Sequence, residues 1–134
     1  MATGTTSTAA SGARRFLDAI VTRDFDAMSS ILAPDVWMRA LLPRSTVETH
    51  TAEATVETFR EWFAPHERLR VLATEHHTVE GREFVSYNLL LQPDWAPQQW
   101  HVVEQSGYCR VANDQVTRLD IVCTGFFPTS VDAA

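Results

Sequence analysis

The sequence contains no lysine, so all 11 of its basic residues are arginines. A Schiff-base lysine and the lysine of a phosphate-binding loop are therefore excluded. The net charge of -6 argues against a nucleic-acid partner, which requires a basic surface. No apolar run approaches the roughly 20 residues that a membrane-spanning helix needs. The Thr/Ser/Ala-rich opening also lacks the apolar stretch of a signal peptide, which favours a cytoplasmic location.

Cysteine is scarce as well, since the chain has only Cys109 and Cys123. Both lie on the last two predicted strands, which a turn at residues 113–114 would join into a hairpin. A tight register in that hairpin places Cys109 opposite about Arg118 and Cys123 opposite about Glu104, roughly 15 Å apart along the strands. We therefore expect two reduced, partly buried thiols and no disulfide.

The chain of 134 residues has the size of one domain with a substantial core. Helical periodicity predicts a short helix at residues 14–22 and a second, capped by Asp24 or Asp26, that ends at residues 33–35. A third helix begins at Thr51 or Thr55 and is stopped by Pro65. Period-two patterns predict strands at 36–42, 69–79, 83–92, 99–111 and 116–127, with a polar loop at 44–50. We interpret residues 1–11 and 129–134 as tails of a single domain at 12–128.

This order of elements predicts an α+β fold. A curved antiparallel sheet wraps round three N-terminal helices and forms a cone with an internal apolar pocket. Such a pocket suits a hydrophobic small molecule.

Two segments resemble the nuclear-transport-factor-2-like superfamily. RRFLDAIVTRDFDAMSSILAPDVWM is similar to its opening pattern of helix, (G/R)D(F/L)D, helix and L-A-x-D-(A/V), and DQVTRLDIVCTGFF is similar to its final strand. The likeness spans roughly residues 13–127 and points to the SnoaL-like group, which includes polyketide cyclases and ketosteroid isomerases. It implies the cone fold but no single activity, because the superfamily contains enzymes and pure binding modules.

Three positions depart from the ketosteroid isomerase pattern that this resemblance implies. Phe16 stands in place of an oxyanion tyrosine, Ala40 in place of the general base, and Ser106 in place of a protonated aspartate. The isomerase reaction requires a base and charge-stabilising donors, so we do not expect it in that form.

The long strand at 99–111 carries the two candidate catalytic residues. If Ser106 points into the pocket, strand alternation also turns Glu104 inward and His101 outward, unless a bulge re-phases the strand. Glu104 would then be a general base whose pKa is raised by apolar neighbours, or else a carboxylate paired with an arginine or facing solvent. His101 is the alternative acid or base, close to the position of a scytalone dehydratase histidine, or else an exposed or interface residue.

The candidate substrate-binding residues are polar and aromatic positions expected on the pocket wall. They are Phe16, Phe84, Ser86, Asn88, Trp100, Ser106 and Tyr108. Ser86 and Asn88 could instead satisfy backbone groups, and Tyr108 could simply fill the core. No Asp, Glu or Cys stands at ligand spacing to His76 or His77, so we expect no metal, and nothing points to another cofactor.

The strand at 83–92 is apolar on both faces. With Ser86 facing the pocket, its other face would need cover: Val85, Tyr87, Leu89 and Leu91. The resemblance implies a homodimer through this outer sheet face.

These features favour a small cofactor-free enzyme that acts on a hydrophobic oxygenated metabolite such as a polyketide. Its reaction would be cyclisation, isomerisation or dehydration, with Glu104 or His101 as the base. The alternative is a non-catalytic binding or assembly module of the same fold, which the missing isomerase residues favour.

Overall fold

The computed structural model describes residues 11–64 and 66–130. Its helices are α1 (Gly12–Thr22), α2 (Phe25–Ile31) and α3 (Ala52–Phe63). Its strands are β1 (Leu32–Leu41), β2 (Thr46–Thr49), β3 (His66–Val79), β4 (Arg82–Pro93), β5 (His101–Ala112), β6 (Gln115–Cys123) and β7 (Phe127–Pro128). The predicted tails at 1–11 and 129–134 lie almost entirely outside the described residues.

Each helix begins at a side chain that caps its first turn. Ser11, Asp24 and Thr51 each accept a hydrogen bond from the backbone N–H three residues further on. None of the described helices has the length and apolar character needed to cross a membrane.

The strands form one sheet in the order β2-β1-β6-β5-β4-β3, and the short β7 pairs with β5. The predicted α+β fold, with a curved sheet around three helices, is confirmed. Two details differ from the prediction. The sheet is mixed, because β1 and β6 run parallel, and the predicted loop at 44–50 contains strand β2.

A bulge in β6 decides which face of β5 points toward the helices. Val111 pairs with Val116, but Arg110 pairs with Arg118, so Thr117 is an extra residue without a partner. Side chains alternate between the two faces along a strand. In a tight hairpin without the bulge, the residues of β5 before Val111 would therefore point to the opposite face from the one that they occupy here.

The predicted orientation of β5 and β4 was therefore wrong. The buried positions of β5 are His101, Val103, Gln105, Gly107 and Cys109. On β4, Val85, Tyr87, Leu89 and Leu91 are buried beneath the helices, so they are not the face that a partner would cover. The opposite, outer face carries the predicted pocket residues Phe84, Ser86, Asn88, Glu104, Ser106 and Tyr108.

Cys109 and Cys123 are free thiols, as predicted, but both are buried rather than partly buried. The bulge places Cys123 opposite Gln105, so the two sulfurs lie about 13 Å apart along the strands. Burial raises the pKa of Cys109 to about 12, with smaller contributions from the charges of Glu83 and Asp120. This thiol therefore stays protonated at neutral pH.

Side chains fill the interior of the cone. Phe16 of α1 packs edge-on against Phe59 of α3 at 5.4 Å between ring centroids. Phe16, Phe59 and Leu89 have 0% of their surface exposed, so no space large enough for a water molecule adjoins them. The predicted apolar pocket is thus closed in this structure.

Strands β5 and β6 approach each other closely at Gly107, and a substitution there tests this packing. A Cβ at this position would overlap the backbone carbonyl of Asp120, which cannot move without breaking the ladder. Gly107→Ala should therefore lower the free energy of unfolding by about 2–3 kcal/mol in urea titrations. Ser106→Ala, on the outer face of the same strand, should stay within about 0.5 kcal/mol of the wild type. Equal stability of the two variants would contradict the packing described here.

Candidate active site

Few polar side chains are buried inside the cone. Thr55 is fully used as a structural residue, because its hydroxyl bonds to Thr49 Oγ1 and to the carbonyl oxygen of Thr51. The others, Tyr87, His101 and Gln105, share the inner face of the neighbouring strands β4 and β5. These three side chains define the candidate site.

Tyr87 and Gln105 face each other directly across the ladder. The Tyr87 hydroxyl donates a hydrogen bond to Gln105 Oε1 at 2.5 Å. Burial, and secondarily the nearby Cys123 and Cys109, raises the pKa of Tyr87 well above its ordinary value. The phenol therefore remains a protonated donor at any physiological pH.

The second polar atom of the Gln105 amide has no partner. Gln105 is 1% exposed, and among the residues that the structure describes its Nε2 is the one buried side-chain nitrogen or oxygen without a hydrogen bond. Leaving such a donor unpaired costs about 1–3 kcal/mol. Its N–H bonds are therefore available to an oxygen acceptor that enters the cone.

Aromatic rings cover this amide pair. Phe63, the last residue of α3, lies edge-on to Tyr87 at 6.5 Å between centroids and contacts Phe126 at 6.4 Å. Phe126 follows β6 and is half-buried. The half-buried Phe126 thus packs on Phe63, which in turn packs on the buried tyrosine.

His101 begins β5 at one end of the cone, opposite Leu91 of β4 and Pro128 of β7. Its Nδ1 lies 3.0 Å from the carbonyl oxygen of Gln99. A carbonyl only accepts hydrogen bonds, so Nδ1 carries a proton, and in the neutral tautomer that this contact selects the lone pair lies on Nε2. That arrangement suits a general base.

A loop tryptophan covers the histidine. The Trp95 ring meets His101 in a T-shaped contact at 4.7 Å between centroids. Trp95 is 65% exposed, whereas His101 is only 4% exposed. The exposed indole therefore packs on the buried imidazole from the solvent side.

The two polar points lie on the same strand and the same face. His101 and Gln105 are four positions apart along β5, which is about 13 Å between Cα atoms. Val103 and its partner Leu89, both buried, occupy the space between them. The inner face is therefore an apolar strip with a base at one end and an amide donor at the other.

No protein-family model matches the chain, and no curated protein matches it in sequence. Solved structures do match its fold. A hypothetical protein from Catenulispora acidiphila, with a ketosteroid isomerase-like fold and bound trimethylamine, has a TM-score of 0.64 and 13% identity over 82% of each chain. An LEH-like epoxide hydrolase from M. tuberculosis has a TM-score of 0.62 and 12% identity over 84% of this chain and 79% of that chain.

A third solved structure is an NTF2-like protein of unknown function from Burkholderia pseudomallei. It has a TM-score of 0.62 and 16% identity, over 82% of this chain and 86% of that chain. The chain has the NTF2-like fold. Identities this low carry the fold and not the activity, so the site must be judged on its own residues.

Within this NTF2-like fold, only two of the predicted site residues lie inside the cone: Phe16 and His101. Glu104 is exposed on the outer face, and its backbone N–H bonds to Thr124 Oγ1. Trp100 is half-buried before β5, beneath the Arg70 guanidinium at 5.2 Å. The remaining candidates lie on the outer face with Glu104: Phe84, Ser86, Asn88, Ser106 and Tyr108. His76 bonds to Glu83 at 2.6 Å, and the described part of the chain contains no group of three or more side chains that could hold a metal ion.

Gln105 is not among the predicted site residues, and Tyr87 was predicted on the opposite face. In the sequence, Gln105 alternates in step with the apolar Val103 and Cys109. That pattern identifies Gln105 as an inner residue only once the bulge at Thr117 is known.

A double variant tests whether the buried pair of Tyr87 and Gln105 makes the protein less stable than apolar side chains would. Tyr87→Phe alone leaves both ends of the Gln105 amide unpaired, so we expect it to lower the free energy of unfolding by about 1–2 kcal/mol. Tyr87→Phe combined with Gln105→Met removes every buried polar atom of the pair at similar volume and should match or exceed wild-type stability. Urea unfolding measures both. A double variant less stable than the single one would show that the pair is simply structural.

Proposed function

We propose that this protein is a cofactor-free enzyme that performs acid–base chemistry on a hydrophobic, oxygenated molecule inside the cone. His101 Nε2 removes a proton from carbon, and Gln105 Nε2 donates to the substrate oxygen on which negative charge develops. The observation that carries the proposal is the buried, unpaired Gln105 amide on the same apolar strip as a histidine whose tautomer is fixed.

Tyr87 is the positioning residue of this scheme. By donating to Gln105 Oε1 it holds the amide so that Nε2 points away from the ladder, and it polarises the amide toward stronger donation. The tyrosine is buried and protonated, so this support does not change with physiological pH.

The spacing of the two groups defines the substrate class. The side chains of His101 and Gln105 leave the same strand about 13 Å apart at their Cα atoms, with Val103 between them, and this spacing suits a substrate whose acidic carbon is separated from its oxygen. A flat, conjugated ring system places the acidic carbon and the oxygen at opposite ends of the molecule. Polycyclic ketones of the polyketide type have this shape, and their cyclisation, isomerisation or dehydration begins with such a proton transfer.

The closed interior requires that the protein open to admit its substrate. The Phe63–Phe126 contact covers the amide end and Trp95 covers the histidine end. The solved relatives give general support, since one of them holds trimethylamine and another is an epoxide hydrolase.

Anthrone is a suitable probe, because it is an apolar tricyclic ketone whose acidic methylene lies across the central ring from the carbonyl. The wild-type protein should accelerate exchange of that methylene in deuterium oxide, followed by NMR under nitrogen. His101→Gln should lower the enzymatic rate by about 100-fold, the usual contribution of a general base. The Tyr87→Phe, Gln105→Met double variant should lower it by a similar factor, because the oxyanion donor is lost.

Glu104→Gln is the matched control, since its carboxylate points out of the cone, and its exchange rate should equal that of the wild type. An unchanged rate in His101→Gln would refute the assignment of the base. Binding of anthrone without any exchange above the background rate would favour the alternative, a non-catalytic binding module.

We also propose a homodimer, through the outer face rather than through the buried side chains named in the sequence analysis. The outer apolar patch consists of Leu41, Val102, Val122 and Phe127 on neighbouring strands. Val122 is 55% exposed and Phe127 53% exposed, and a sheet face of this kind is commonly covered by a second copy.

Light scattering after size exclusion tests the dimer. Val122→Glu places an unpaired charge within the patch and should shift the protein to a monomer. Leu72→Glu, a similarly exposed position on the edge strand β3, should leave the dimer intact. A monomeric wild-type protein would refute the proposal.

A further inference from the structure

A cleft of about 480 Å³ lies on the outer face of the sheet, at the end where the two β-hairpins turn. It is lined by Trp37, Arg82, Tyr108, Arg110, Thr117, Arg118 and Asp120. Its size falls within the range of small-molecule sites. The sheet itself separates this arginine cleft from the proposed active site, whose residues occupy the inner face.

Three arginines stand side by side across the floor of the arginine cleft. Arg110 is paired directly with Arg118. Arg82 lies next to Arg110 on the other side, because Glu83 is paired with Cys109. Like charges directly opposite each other destabilise a sheet, so this row is unfavourable unless an anion neutralises it.

Only one of the three arginines is neutralised by the protein. Arg118 makes two hydrogen bonds to Asp120, at 3.0 and 3.1 Å. In the described part of the chain, neither Arg82 nor Arg110 has an acidic partner. Two adjacent guanidinium groups thus remain uncompensated in a protein whose net charge is -6.

The walls of the cleft are aromatic and fixed in place. The Arg118 guanidinium lies 3.9 Å over the Trp37 ring, which also stacks on His50. Tyr108, which is 42% exposed, forms the other wall. Its ring contacts that of Phe84 at 5.5 Å between centroids. A flat apolar group has room to pack against Tyr108 while its charge lies over the free arginines.

We propose that the arginine cleft binds an organic carboxylate with a flat, apolar body, at a site separate from the cone interior. The carboxylate pairs with Arg82 and Arg110, whose planar guanidinium groups match its two oxygens. The bound charge relieves the repulsion along the row, and the flat body packs against Tyr108. This site stands independently of the acid–base function proposed for His101 and Gln105.

Naphthoate is the probe, and its binding is measured by calorimetry at low salt and followed on the indole N–H signals by NMR. We expect Arg110→Gln to weaken binding at least tenfold. The neutral analogue naphthylmethanol should also bind at least tenfold more weakly than naphthoate. Arg44→Gln, an exposed arginine outside the cleft, should bind like the wild type, and so should His101→Gln.

Stability without ligand distinguishes a binding arginine from a structural one. Unliganded Arg110→Gln should unfold at the same temperature as the wild type or higher, because it removes a like-charge neighbour. Naphthoate should raise the unfolding temperature of the wild type and not that of the variant.

Four results would overturn the proposal. In the first, the wild-type protein neither binds naphthoate nor is stabilised by it. In the second, Arg44→Gln loses as much binding as Arg110→Gln. In the third, unliganded Arg110→Gln unfolds at a lower temperature than the wild type. The fourth is a changed oligomeric state in Arg110→Gln, which would mark the cleft as an interface between copies of the chain.

Discussion

The extra residue in β6 is the constraint on which the site depends. Thr117 has no partner in the ladder, and the register on its two sides differs by one residue. The helices cover only one face of the sheet, so this offset selects which half of the side chains in β5 is buried. Through the ladder to β4 it also selects the buried half of that strand.

This selection separates two chemical surfaces that the sequence interleaves. The inner phase holds a histidine, a glutamine and a tyrosine within an apolar interior. The outer phase holds the carboxylate of Glu104, the arginines and the exposed aliphatic side chains. Without the bulge the two sets would exchange places. The cone would then contain Glu104 and Arg110, two charged groups that a packed interior accommodates only at a high desolvation cost.

The interior of this chain shows an imbalance between packing and polar satisfaction. Its aromatic and aliphatic side chains leave no room for water, yet one amide nitrogen is buried without a partner. A core selected for stability alone would replace the Tyr87–Gln105 pair with apolar side chains. The proposed role of Gln105 as an oxyanion donor accounts for this unpaired nitrogen.

Much of the fold can be read from the sequence, because local physics fixes it. Helical periodicity locates the helices, and the sequence narrows two of their caps to pairs of residues, of which the structure uses Asp24 and Thr51. Residues 113 and 114, both with positive φ, form the predicted turn between β5 and β6. The parallel pairing of β1 with β6 is not local and has no such signal.

The orientation of β5 could not be predicted from the sequence, because each of its two faces carries both apolar and polar residues. Val103 and Cys109 alternate with Val102 and Tyr108, so neither phase is clearly the buried one. Thr117 is an ordinary strand residue, and nothing in its neighbours marks a bulge. Gln105 and Tyr87 therefore became recognisable as site residues only in three dimensions.

Single-cysteine labelling along β5 tests this orientation most directly. A thiol reagent is added to four native single variants: Val103→Cys, Glu104→Cys, Gln105→Cys and Ser106→Cys. The two natural cysteines, Cys109 and Cys123, are buried and give little background labelling. The account predicts fast labelling at positions 104 and 106 and protection at 103 and 105. The reverse pattern would show that β5 turns its other face to the helices, and the site described here would not exist.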